Sequence, residues 1–143
     1  MEPKFIKRHP ASETFIIKKC SFFENNVTFP GNAIVGPGSS FWGDLIIKGI
    51  LELGRESKVK GDVIADTAVI SADCQINGNI KVTGNLTLLD RTRIGGVANA
   101  GGDMLIRPMV FARSAECNGD IQVTGKTEIK SIHSGRKLVA RKD

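Results

Sequence analysis

The 143-residue chain has no tyrosine, one tryptophan, two histidines and three cysteines. Each scarcity excludes something. Besides the tryptophan, seven phenylalanines are the only aromatics, so the 41% of apolar residues must build a core that is mostly aliphatic. Cys20, Cys74 and Cys117 form no CxxC pair. They read as small apolar residues of a reducing compartment, not as zinc ligands or a disulfide framework. No apolar run approaches the ~20 residues of a membrane-spanning helix, and the first residues lack the apolar stretch of a secretory signal. The expectation is a cytoplasmic protein. The glycine-rich GGVANAGGD (95–103) is followed by no GxxxxGK[ST] motif, so it is not read as a phosphate cradle, and no nucleotide is expected.

What the chain does have is a repeat. GDLIIKGILELGRESKVK (43–60), GDVIADTAVISADCQIN (61–77) and GNIKVTGNLTLLDRTRIG (78–95) follow one another with a period of 17 or 18. Within each copy apolar residues occupy alternate positions in three short groups, as in Leu45/Ile47, Leu51/Leu53 and Ser57/Val59. Alternation of period two marks strands. A unit this short cannot own a core and must stack on its neighbours. Three strands per turn, stacked copy on copy, predict an all-β, single-domain, right-handed parallel β-helix; the hand follows from the connection rule for parallel strands. A left-handed hexapeptide helix is the rival, but a strict period of six is missing.

Extending the register gives the domain boundaries. Backwards, Val27/Phe29 and Phe15/Ile17 continue the columns; forwards, they run to Thr127/Ile129. The β-helix is therefore placed at 14–130 with about six turns. After Gly96 the next glycine in series is Gly119, 23 residues on, which predicts an insertion of about five residues near 107–114 (RPMVFARS). Residues 1–13 hold two prolines and no periodicity and read as a flexible N-terminal tail; residues 131–143 read as a basic C-terminal tail. The net charge of +5 sits at the ends: residues 14–125 hold 11 basic and 11 acidic residues, 1–13 contribute 3 − 2 = +1 and 126–143 contribute 6 − 2 = +4. A neutral body argues against nucleic acid. Lys4, Phe5, Ile6, Lys7 and Arg8 could touch an anionic membrane surface, placing the protein at the inner face of the cell membrane.

Chemistry is sparse in this pattern. Hexapeptide-helix acyltransferases need a histidine base in a cleft and the related carbonic anhydrases three on zinc; His9 and His133 fall in the expected tails. Asp44, Asp62 and Asp120, each following a glycine, read as caps of corner backbone groups, not as a metal site. No catalytic residue, cofactor or metal is expected, and the chain does not read as an enzyme.

A β-helix ends in strands with free backbone groups, which are templates for pairing with another copy. The segment GDLIIKGILELGRESKVKGDVIADTAVI and the GNIKV that follows resemble the bactofilins, polymer-forming cytoskeletal proteins; the likeness covers residues 25–130 through a G-[DN]-Φ-x-Φ repeat. The resemblance implies assembly without nucleotide into nonpolar filaments that act as a scaffold, with the chain itself as main partner, the membrane surface as a second and other cytoskeletal or scaffolded proteins as a third. Phe15, Ile17 and Phe23 are expected at one polymerising end, and Val123, Ile129 and Ile132 at the other. The first alternative is a scaffold that does not polymerise and binds a protein partner through its outer faces, including Trp42 and residues 107–114; a hexapeptide-repeat-type acyltransferase, for which the chain lacks a base in register, comes after it.

Overall fold

The computed structural model describes residues 6–9, as backbone, and 14–141. Among them there is no helix; twenty strands, numbered in chain order, coil into a parallel β-helix with three faces. The first face stacks β2 (Thr14–Ile17), β5 (Asn32–Val35), β8 (Ile50–Leu53), β11 (Thr67–Ile70), β14 (Leu86–Leu88), β16 (Met104–Ile106), β18 (Ile121–Thr124) and β20 (Leu138–Arg141), and β1 (Ile6–His9) lies beside β2. The second holds β3 (Phe22–Phe23), β6 (Ser40–Phe41), β9 (Lys58–Val59) and β12 (Gln75–Ile76). The third holds β4 (Val27–Phe29), β7 (Leu45–Ile47), β10 (Val63–Ala65) and β13 (Ile80–Val82). From there on, single long strands cross the corner between faces two and three: β15 (Arg93–Ala100), β17 (Phe111–Cys117) and β19 (Glu128–Ser134).

Successive strands on a face pair in parallel, one turn apart, as Ala33↔Leu51, Ala68↔Leu86 and Met104↔Ile121 show. The turns number about seven, not six, and strands spaced ~4.8 Å apart make a rod roughly 35 Å long. Alternate residues point inward and form one continuous core, from Ile17, Phe29 and Phe41 through Leu53, Ile70 and Leu88 to Ile106 and Ile121. Cys74 and Cys117 lie within it as free thiols, whereas Cys20 is exposed. Burial pushes the Cys74 thiol up to about 11, which leaves it unreactive in the folded chain.

The G-[DN] dipeptide of the repeat has a specific cause. At one corner the side-chain oxygen of each Asx accepts the backbone N–H of the residue one turn on: Asn26 from Asp44, Asp44 from Asp62, Asp62 from Asn79, and Asn79 from Val97, each at 2.8 Å. A Cβ on Gly43, Gly61, Gly78 or Gly96 would overlap the Oδ1 atom making that bond. Glycine and Asx are thus one device, the first leaving room for the second. A second ladder stands at the next corner, where Asn85, Asp103 and Asp120 accept from Asp103, Asp120 and Lys137.

These two ladders correct the expected insertion. Gly119 stacks on Gly102 and Gly84 in the second ladder and not on Gly96, whose column continues at Arg113 and Ser114. No residues are inserted at 107–114. Ile94↔Ala112 and Ile121↔Leu138 keep the 17–18 spacing to the end. The only irregularity there is a bulge between Ile94 and Val97, where Gly95 and Gly96 give β15 one residue more than its partner. Met109 is a corner residue, Val110 is buried, and Phe111 opens β17.

The third corner needs a left-handed backbone in each turn and obtains it mostly without glycine: Cys20, Glu56, Asp73, Arg91 and Met109 all have φ between 57° and 65°. Ion pairs bind this corner along the axis. Arg91 donates to Asp73 through Nε at 2.8 Å and Nη2 at 3.1 Å, and Arg107 Nε lies 3.4 Å from Asp90.

Candidate assembly surfaces

Parts of both expected tails are strands. Residues 6–9 form β1, antiparallel to β2, with Ile6↔Ile17 and His9↔Thr14 as the outer pairs. Residues 131–134 complete β19, and 138–141 form β20 on β18. The periodicity of the C-terminal strands is faint because no described strand packs above them, so inward positions there need not be large. Of the expected membrane contacts, Lys4 and Phe5 lie outside the described residues; Ile6, Lys7 and Arg8 belong to β1.

At the C-terminal end the last layer is open. β20 ends the first sheet and β19 pairs only with β17, so 4 + 7 = 11 strand residues offer a bare edge among the described residues. Ile129 and Ile132 are half-buried against the core, and Leu138, which continues the Ile121 column, is 53% exposed. Val123, expected at this end, lies one layer down beneath Ala140 and is buried. The corner before β20 is firmly held: Lys137 N–H donates to Asp120 Oδ1 at 3.1 Å, Arg136 N–H to the Gly119 carbonyl at 3.2 Å, and Ser134 Oγ sits 2.8 Å from that carbonyl. Leu138 was the residue that sequence reading missed. Counting one more period of 17 from Ile121 would have found it.

The N-terminal end is more closed. Phe15, half-buried, packs on Phe29 with ring centres 5.2 Å apart; Phe23 stacks on Phe41 at 5.0 Å; Ile17 and Phe23 are only 1% and 5% exposed. The strands at this edge are short: β2 has four residues and carries β1, while β3 and β4 have 2 + 3 = 5.

Two outer features complete the survey. Trp42, 52% exposed, meets Phe22 edge-on at 5.1 Å and Lys60 Nζ at 4.1 Å from its ring centre. Ser131 Oγ lies 2.8 Å from His133 Nε2 on the outer side of β19, with His133 in register against Glu116 of β17. His133, expected in a tail, is therefore a strand residue, exposed to solvent. Asp44, Asp62 and Asp120 are ladder acceptors as expected, although Asp120 serves the second ladder. Among the described residues no three His, Cys, Asp or Glu side chains converge to hold a metal. Comparison with known protein families, curated proteins and solved structures finds no match for this chain.

Proposed function

We propose that the chain is a structural protein that associates end to end with its own copies, without nucleotide, into nonpolar filaments that act as a scaffold. The bare C-terminal edge carries this reading: the eleven residues of β19 and β20 have a partner strand on one side only among the described residues, and the same layer holds the half-covered Ile129, Ile132 and Leu138. Such an edge pairs readily. A like-to-like contact about a two-fold axis is isologous, and alternating C-terminal and N-terminal contacts of this kind build a filament without polarity. The resemblance of the repeat to the bactofilins points the same way, and the membrane contact of residues 4–8 belongs to the same proposal.

Leu138→Arg tests it. Leu138 is more than half exposed, so the fold should persist, judged by an unchanged β-type circular dichroism spectrum. Placing like charges face to face across a two-fold contact costs several kcal/mol, which is more than about 100-fold in Kd. Sedimentation should show the filaments lost and nothing larger than a pair. If the variant assembles as the parent does, the C-terminal contact is wrong.

One observation favours a second reading, a scaffold that binds a partner protein sideways: Phe22 and Trp42 form an exposed aromatic pair, with Lys60 over the Trp42 ring, away from the C-terminal end. A parent chain that remains monomeric at high concentration would select it.

A further inference from the structure

β1 is the exception in the topology. Along both sheets every strand pairs with its neighbours in parallel, while β1 runs antiparallel to β2. It is therefore not a coil strand. It is the return arm of a hairpin, joined to β2 by residues 10–13, and it occupies the seat on the first face that a further turn, or another molecule, would take.

The direction of β1 identifies the competitor. If a second copy met this end about a two-fold axis normal to the first face, its own β2 would continue the sheet and run antiparallel to the β2 it met. β1 runs in that same direction in that same place. It also lies on the longest N-terminal edge, four residues against two for β3 and three for β4. Its sequence, Ile-Lys-Arg-His, is short and charged, which is how natural sheets protect an edge from pairing. Among the described residues β1 is paired on one side only, to β2, through four residue pairs, so its backbone has less to hold it than that of any strand between two neighbours. A strand with these properties guards an edge and can leave it.

We propose that β1 is a built-in cap that competes with a second copy of the chain for β2. While it is seated, molecules associate only through their C-terminal ends and stop at pairs; its release opens the N-terminal end to a like contact and lets the filament grow. This rests on the end-to-end reading above and adds its regulation.

The experiment uses the Leu138→Arg background, in which the C-terminal contact is blocked. Two variants release β1: a chain starting at residue 14, and the full chain with Lys7→Pro and Arg8→Pro. Adjacent residues of a strand point their N–H groups to opposite sides, so the double substitution removes a ladder bond whichever of the two faces β2. A third variant locks β1: Lys7→Cys with Ile16→Cys, which are register partners, in a Cys20→Ser chain. The expected result by sedimentation is a monomer for Leu138→Arg alone, a doubling of mass on either release, and a monomer for the locked chain that also carries Leu138→Arg. If Leu138→Arg is monomeric and neither release raises its mass, the cap is refuted and the C-terminal contact stands. If Leu138→Arg assembles like the parent, the end-to-end reading fails and the cap with it.

Discussion

The first two turns and the last two share one register and differ in what fills and closes them. In the second-face column the N-terminal turns place Phe23 and Phe41, while the sixth turn places Ala112; in the third-face column Phe29 at one end answers to Ala100 and Cys117 near the other. Two turns show large and small inward residues offsetting one another. Ala33 lies in the turn of Phe41, and the turn of Ala112 and Ala115 carries Met104 and Val110, the latter at a corner position where other turns have Ser39, Ser57 or Thr92. The path of the coil is thus set by the backbone ladders and corners, and side-chain size is free to vary so long as a cross-section stays full. The ends differ for the same reason: rings close the N-terminal mouth, and small or half-covered residues leave the C-terminal one open.

Phe41→Ala should break this contrast most strongly. It removes a fully buried ring stacked on Phe23 and costs about 3–5 kcal/mol. Amide exchange should quicken in residues 14–59 and stay slow in 97–124; an equal loss at both ends would mean that the turns are not locally balanced. A smaller effect, about 2 kcal/mol, is expected for Gly61→Ala, whose Cβ meets Asp44 Oδ1 and displaces the bond to the Asp62 N–H. Adding Asp44→Ala should restore part of the loss in urea melts, because the clash with Oδ1 goes with the carboxylate while the 2.8 Å approach to the Gly43 carbonyl group remains. Gly119→Ala with Asp103→Ala is the same cycle in the second ladder. Strict additivity in both cycles would show that glycine and Asx are not one device.

The smallest effect concerns pH. The hydrogen bonds from Arg91, with the charges of Arg91 and Arg55 behind them, hold the Asp73 carboxyl below its usual range. A carboxylate with a lowered folded value adds stability that is present above the unfolded value, about pH 4, and is lost as pH falls through the lowered one. Asp73→Asn should therefore lower the thermal midpoint slightly at pH 7 and leave it nearly unchanged near pH 2. The pair is solvent-exposed, so the difference should also shrink in high salt.

The columns from Phe15 to Ile129 were legible because inward residues are buried and must alternate. The third corner was not. A left-handed backbone usually announces itself through glycine or asparagine, and here it is held by Cys20, Glu56, Asp73, Arg91 and Met109, whose conformation is imposed by the turns above and below. The false insertion arose because both ladders use the same glycine–Asx signature, and the first ends at Val97 while the second runs on to Lys137. β1 left no trace, since a four-residue strand shows too little periodicity to read. As for the candidate surfaces, Ile129 and Ile132 follow from the inward columns and pack against the core, whereas Leu138 was lost among the charges of what looked like a tail.

The unbroken spacing of 17 or 18 has an evolutionary side. Any one coil can be copied or dropped in tandem, because its two neighbours present the same seam to whatever replaces it. Each such event would lengthen or shorten the rod by ~4.8 Å and leave both mouths as they were. Length and end surfaces can then drift independently, so that a lineage could change the span of the rod without altering either end.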